Sequence, residues 1–222
     1  MIAIIDYGMG NVFSVKNACE FLGEEAIVTR NPGEIARSDR LILPGVGAFG
    51  EAMENLRDLN LVTLLHEEVL QKKKPILGIC LGMQLMASQS VEKGNHGGLG
   101  WVAAKVVRFP RSSFPFRVPH VGWNEISPRP NVPFFANLKK DRNVYFVHSY
   151  HLVPENNHEI AATCSYGIEF CASVWKENIF ATQFHPEKSQ NVGLSILESF
   201  LEWSPPSRKP GELASTGVEE IA

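Results

Sequence analysis

The sequence predicts an α/β fold: a mostly parallel central sheet flanked by helices, with additional antiparallel strands in the second half. Three observations carry that prediction. Short unbroken apolar runs at Ile2–Ile5, Leu41–Leu43 and Pro75–Ile79 read as strands buried on both faces, as parallel strands are. Helical patterns of about ten residues separate them, which is the spacing of βαβ units. The third is Gly78-Ile79-Cys80-Leu81-Gly82, where an apolar run gives way to a helix across a potential nucleophile. Small residues two before and two after Cys80 suit a sharp strand-to-helix elbow, because larger side chains would collide with so tight a backbone.

The elements follow in order. Ile2–Ile5 is the first strand. Asn11 can cap a helix whose Val12, Val15, Cys19 and Leu22 share one face, and Gly23 ends it. Ala26–Thr29 and Leu41–Leu43 are strands, the second ending in the loop Pro44–Gly50. Helical patterns cover Glu51 to Leu56 and Leu61 to Gln71. Then come the strand before Cys80 and an apolar helix over Leu81–Ala87. After about Gly94 the pattern shortens to strands with turn signals between them: Val102–Phe109, His120–Ile126, Val144–Val147, Glu159–Cys164, Phe170–Trp175 and Ile179–Phe184. An amphipathic helix from Ser189 to Trp203 carries Leu194, Leu197 and Leu201 on one stripe. Residues 1–203 therefore read as a single domain. From Ser204 the chain turns to Ser-Pro-Pro-Ser-Arg-Lys-Pro-Gly and then polar residues to Ala222, too few of them apolar to offset ordering entropy, so 204–222 reads as a disordered tail.

Composition narrows the function. With 222 residues, 44% hydrophobic and 20% charged, the chain can bury a full core. A net charge of -3 leaves no footprint for nucleic acid or an anionic membrane. Lys72-Lys73-Lys74, the basic run, reads as a solvated helix end. No segment approaches the roughly 18 consecutive apolar residues of a membrane span, and Met1–Asp6 lacks the basic region of a secretory signal. Cys19, Cys80, Cys164 and Cys171 form no C-x-x-C pair and are expected as reduced thiols in a cytoplasmic protein. His148 and His151 lie three apart near a strand, without a third residue at metal-ligand spacing, so no metal is expected. His120, between Pro119 and Val121-Gly122-Trp123-Asn124, reads as part of a surface recognition strand.

Active sites of parallel sheets lie at the carboxyl ends of the strands, where both Cys80 and the Pro44–Gly50 loop fall. The helix after Cys80 would aim its amino end at the sulfur and favour the thiolate. A cysteine nucleophile needs a base, and the base an orienting group. His185 follows the apolar strand ending at Phe184, and Glu187, two residues on, can accept from its imidazole. The plain alternatives are a buried structural thiol and a capped turn into the last helix. Acyl transfer further needs oxyanion donors: the Leu81 backbone N–H is one, and the Pro44–Gly47 loop, at Val46, offers a second.

Together Gly78–Gln84 and Phe184–Glu187 resemble the triad-type, class-I glutamine amidotransferases. Asp6–Asn11, Pro44–Gly47, Pro119–Asn124, Tyr145–Tyr150 and Pro186–Ser189 are similar, more narrowly, to the glutaminase subunits of imidazole glycerol phosphate synthase in histidine biosynthesis. The resemblance spans residues 1 to about 203. It implies hydrolysis of glutamine to glutamate and ammonia through a thioester on Cys80, with His185 moving the proton and Glu187 orienting it. It implies that Gly47, Gln84, Ser149 and Tyr150 hold glutamine and that no cofactor is needed. The implied partner is a (βα)8-barrel cyclase subunit, which receives the ammonia through a tunnel and makes imidazole glycerol phosphate and an aminoimidazole carboxamide ribotide. Trp123, Asn124, Tyr145 and Lys188 match positions at or near that interface. Three other readings stand beside this one: a glutaminase feeding a different synthase, a catalytically silent regulatory subunit, and a free-standing cysteine hydrolase.

Overall fold

The computed structural model describes residues 1–110, 116–138 and 140–205. The predicted tail lies, from residue 206 on, outside the described residues. The first half runs β1 (Ile2–Ile5), α1 (Val12–Phe21), β2 (Ala26–Thr29), α2 (Pro32–Arg37), β3 (Arg40–Leu43), α3 (Phe49–Asp58), α4 (Leu61–His66), β4 (Ile76–Ile79) and α5 (Leu81–Leu85). The second runs β5 (Ala87–Ser90), β6 (His96–Gly97), β7 (Val102–Arg108), β8 (His120–Pro128), β9 (Asn143–His148), β10 (Tyr150–Pro154), β11 (Ile160–Tyr166), β12 (Ile168–Lys176), β13 (Ile179–Thr182) and α6 (Gln190–Glu202).

Among the described residues the strands join in one sheet, whose main path is β2-β1-β3-β4-β13-β12-β10-β7-β5-β6. The block β2-β1-β3-β4-β13 is parallel throughout. Antiparallel pairing begins at β12 and is carried into a side branch by β11, β8 and β9. The fold class is therefore the one expected. Strand order reverses about β1, which opens a crevice at the carboxyl ends of β1 and β3. Both faces of the block are covered, and alternate residues of each strand enter opposite cores. Ala3, Ile5, Leu41 and Leu43 join one, while Ile2, Ile4, Ile42 and Leu77 join the other. Each such Ile or Leu contributes on the order of 1.5–3 kcal/mol on burial. No helix among the described residues is long and apolar enough to cross a membrane.

Local signals worked where they had a chemical mechanism. Asn11 Oδ1 accepts from the Ser14 N–H and caps α1, and Gly23 ends it at φ +85°. Two of the predicted helices differ from expectation, and α2 was not predicted. The pattern over Leu61–Gln71 divides into α4 and a π turn at Glu67–Gln71. Below that turn the buried carboxylate of Glu68 draws in Lys72 and Lys74 at 2.8 and 2.7 Å, so the lysine run is ion-paired rather than merely solvated. The helix expected over Leu81–Ala87 stops at Leu85. Leu99 and Trp101 donate backbone N–H groups to the carbonyls of Leu85 and Met86 at 2.8 and 2.9 Å, which turns the chain into β5.

Candidate active site

The sheet brings Cys80 and His185 together by pairing β4 with β13. These neighbours run parallel, Ile79 beside Thr182, so their carboxyl ends emerge side by side. Cys80 caps α5 at φ 54° and ψ −106°, a conformation that costs a non-glycine residue about 1–3 kcal/mol. Its N–H bonds to the Thr182 carbonyl at 2.7 Å and its carbonyl accepts from Gln84 at 3.2 Å, and these contacts hold the strained turn in place. Gly82 is indispensable here, because a Cβ would sit 1.8 Å from the Leu43 carbonyl oxygen of β3. The side chain of Cys80 is 6% exposed at the floor of a cavity.

His185 Nδ1 lies 2.8 Å from Glu187 Oε1, with both side chains 2% exposed. Burial works against a charged His185 ring, yet the Cys80 side chain and the Glu187 carboxylate outweigh it and raise the imidazole above the ordinary histidine range. Its Nε2 is buried and has no hydrogen-bond partner. That nitrogen is the ring atom left to exchange a proton. The His-Pro-Glu segment is also the predicted turn: Pro186–Lys188 forms a 3-10 turn, and the Ser189 hydroxyl donates to the His185 carbonyl at 2.6 Å before α6 begins.

The cavity measures about 340 Å³, near the low end of the roughly 300–1,000 Å³ of small-molecule sites. Val46, Gly47, Gln84, Ser149 and Tyr150, all named from sequence, line it beside Cys80 and Leu81. Gln84 Nε2 donates to the Tyr150 carbonyl and to Gln183 Oε1, both at 2.9 Å. Of the two donors expected for an oxyanion, one is engaged within the protein. The Leu81 N–H is taken by the Gly45 carbonyl at 3.3 Å. The loop is further held by the buried Tyr7 hydroxyl, which donates to the Pro44 carbonyl at 2.8 Å. Gly47 holds φ +109° at the loop's end.

Tyr145 lies against His185 with Trp123 beside it, while Asn124 faces β11 and Lys188 ends the turn after Glu187. Trp123 is 49% exposed and pairs with Tyr145 across β8 and β9, ring centroids 5.9 Å apart. Tyr145 in turn reaches the His185 ring at 6.5 Å, and its carbonyl accepts from the His185 N–H at 3.0 Å. Asn124 Nδ2 donates to the Ser165 carbonyl, and Lys188 is exposed. The exposed Val121 and Trp123 fit a recognition strand, but His120 between Pro119 and Val121 does not. It is buried and joined to His148 at 3.1 Å in an aromatic cluster with Phe146 and Phe170. Burial pushes its imidazole down to about 4 and that of His148 to about 3.

Three residues at the site escaped the sequence reading. Glu92 supplies the carboxylate of the cavity lining and accepts from the Phe49 N–H at 2.8 Å. Tyr7 and Gln183 touch the site only through the fold. Tyr7 stood in the Asp6–Asn11 segment and Gln183 two residues before His185, the sole signals that could have marked them.

This fold and this buried Cys-His-Glu arrangement define a class. The chain belongs to the class-I glutamine amidotransferase family, whose model matches residues 3–203. The particular likeness is to the imidazole glycerol phosphate synthase subunit HisH. The chain is 50% identical over 205 residues to that subunit from Geobacter sulfurreducens, covering 90% of this chain and 98% of the relative. It is 46% identical over 201 residues to HisH 1 of Campylobacter jejuni, at 90% and 99% coverage. Among solved structures, a putative GMP synthase subunit from Thermoplasma acidophilum matches with a TM-score of 0.68 at 22% identity, covering 90% of this chain and 91% of that one. PurLQS from Thermotoga maritima matches at 0.66 and 18%, with 90% and 96% covered. At these identities the two structures share the fold.

Proposed function

We propose that this chain is the glutaminase subunit of an imidazole glycerol phosphate synthase, acting in histidine biosynthesis. The observation that carries the reading is Cys80 at the floor of a cavity sized for an amino acid, backed by the buried His185–Glu187 pair. Cys80 thiolate attacks the side-chain carboxamide carbon of glutamine. His185, held by Glu187, passes its Nε2 proton to the departing nitrogen, which leaves as ammonia while the acyl group stays on Cys80 as a thioester. His185 then takes a proton from water as that water attacks the thioester, releasing glutamate and the free thiolate. Gln84, Gly47 and the backbone of Ser149 and Tyr150 hold the substrate, and Glu92 takes its α-ammonium. No cofactor enters these steps.

The oxyanion formed in each attack needs the Leu81 N–H, which the Gly45 carbonyl occupies at rest. Rotation of the Gly45–Val46 peptide would release Leu81 and turn the Val46 N–H inward, supplying both donors at once. The chain is then slow by itself and fast when its partner stabilises the rotated loop. That partner is a (βα)8-barrel cyclase, docking over Trp123, Asn124, Tyr145 and Lys188 and receiving the ammonia. Four free cysteines and no bridge among them suit a reducing cytoplasm.

Glutamate release should be measured with and without the barrel partner and its nucleotide ligand. A stable complex and ligand-dependent stimulation are expected, with turnover but not the complex lost in Cys80→Ala. Full glutaminase activity with no complex would assign the chain to another synthase. No glutaminase activity in an intact complex would make it a regulatory subunit.

A further inference from the structure

Gln183 is fully buried between the end of β13 and the nucleophile, and its amide touches two functional side chains. Nε2 donates to Cys80 Sγ at 3.6 Å, and Oε1 accepts from Gln84 Nε2 at 2.9 Å. The orientation of both amides follows from one neighbour. The Tyr150 backbone carbonyl can only accept, so the Gln84 atom 2.9 Å from it must be the nitrogen. The second proton of that nitrogen needs an acceptor, which turns Gln183 oxygen toward Gln84 and leaves Gln183 nitrogen facing the sulfur. Both Gln84 donors are thereby used within the protein. Its Oε1 is the amide atom left for a ligand, in a side chain that lines the cavity.

We propose that Gln183 is a positioning residue of the glutaminase site: its Nε2 donor favours the thiolate of Cys80, and its Oε1 acceptor locks Gln84 with an acceptor presented to the substrate. The inference rests on Cys80 being the nucleophile. Only a side chain with a donor and an acceptor on one rigid plane can serve both neighbours. A carboxylate there would set a second negative charge against the sulfur, and an apolar residue would leave a Gln84 proton buried without an acceptor. The backbone of Gln183 is separately tied to the Ala172 carbonyl at 2.8 Å, so the strand end does not depend on the side chain.

The test is the rate of Cys80 carbamidomethylation by iodoacetamide against pH, read by mass spectrometry on the Cys80 peptide of the full chain. In Gln183→Met, near in length and shape, the neutral-pH rate should fall about tenfold, the effect of losing one hydrogen bond to a charged group. The rates of variant and wild type should converge on the alkaline plateau, where the thiol is ionised regardless. A merely structural role would alter the plateau too, or nothing. Superimposed profiles overturn the proposal. Should Gln183→Met fail to fold, the unmutated chain labelled with amide-15N glutamine gives a second measurement. The Gln183 side-chain resonances must shift with the same pH midpoint as Cys80 alkylation, and indifference to it overturns the proposal. Neither measurement needs glutamine turnover. A chain that shows this dependence yet never hydrolyses glutamine would refute the glutaminase reading and leave Gln183 standing.

Discussion

Replacing Gly82 with alanine is the sharpest test of the elbow. The added methyl would lie 1.8 Å from the Leu43 carbonyl oxygen and 2.8 Å from its carbon, where contacts of 3.4–4 Å are ordinary. Leu43 cannot yield, because β3 is hydrogen-bonded between β1 and β4 and Leu43 is registered against Gly78. The amino end of α5 must move instead, by more than an ångström, carrying Cys80 and the Leu81 N–H with it. Overpacking of this kind costs about 1–3 kcal/mol. At about 2–4 °C per kcal/mol for a chain of this size, the melting temperature should fall by about 2–12 °C. A misplacement of this size at a reacting group costs on the order of 10²-fold in rate. Thermal melts followed by circular dichroism, partner-stimulated glutamate release and Cys80 alkylation read these effects. Gly97→Ala is the control, since nothing lies within 4 Å of its added carbon. A Gly82→Ala chain that melts with the wild type and keeps its turnover would refute the close-approach argument.

Glu92→Gln keeps an acceptor for the Phe49 N–H but removes the charge that would meet the substrate ammonium. KM for glutamine should rise about 10–100-fold with kcat nearly unchanged, the weight of one charge-assisted hydrogen bond; an unchanged KM would dismiss Glu92 from the site. Tyr7→Phe deletes the hydroxyl that holds the Pro44 carbonyl, so partner-free turnover should rise severalfold as the loop loosens, and a rate that stays flat or falls assigns Tyr7 no restraint on it. Stability should fall on both sides of neutrality. His120 and His148 are pushed well below the ordinary 6.5 by burial, so the unfolded chain binds more protons than the folded one below 6.5, and stability is lost progressively from there toward about 4. The raised His185 acts oppositely: its contribution is complete below 6.5 and is lost as pH climbs toward its folded value. A melting temperature constant between pH 7 and 5 would contradict the neutral burial of the His120–His148 pair.

Much of the architecture was legible because its signals are local. Unbroken apolar runs, an asparagine cap and a glycine stop each have a mechanism within a few residues, and they marked β1, α1, β3 and β4 correctly. The grouping of Cys80 with His185 and Glu187 was legible for a similar reason: His185 and Glu187 sit two residues apart, and Cys80 announces itself through flanking glycines. What failed depended on distant partners. The helix after Cys80 is cut short by backbone donors from Leu99 and Trp101, and His120 is buried by aromatic residues contributed from elsewhere in the chain, Phe109, Phe146 and Phe170. Nothing near either position in sequence could reveal those neighbours.

The sequence by itself determined the class of chemistry, since a nucleophile, a base and an orienting acid are residue identities placed at strand ends by local pattern. The tertiary structure decided how those residues stand at rest. Parallel pairing of β4 with β13 sets Cys80 beside His185, Gln183 crosses between Cys80 and Gln84, and the Gly45 carbonyl occupies the Leu81 N–H. These contacts join residues far apart in the chain, and only the register of the sheet fixes which partners meet.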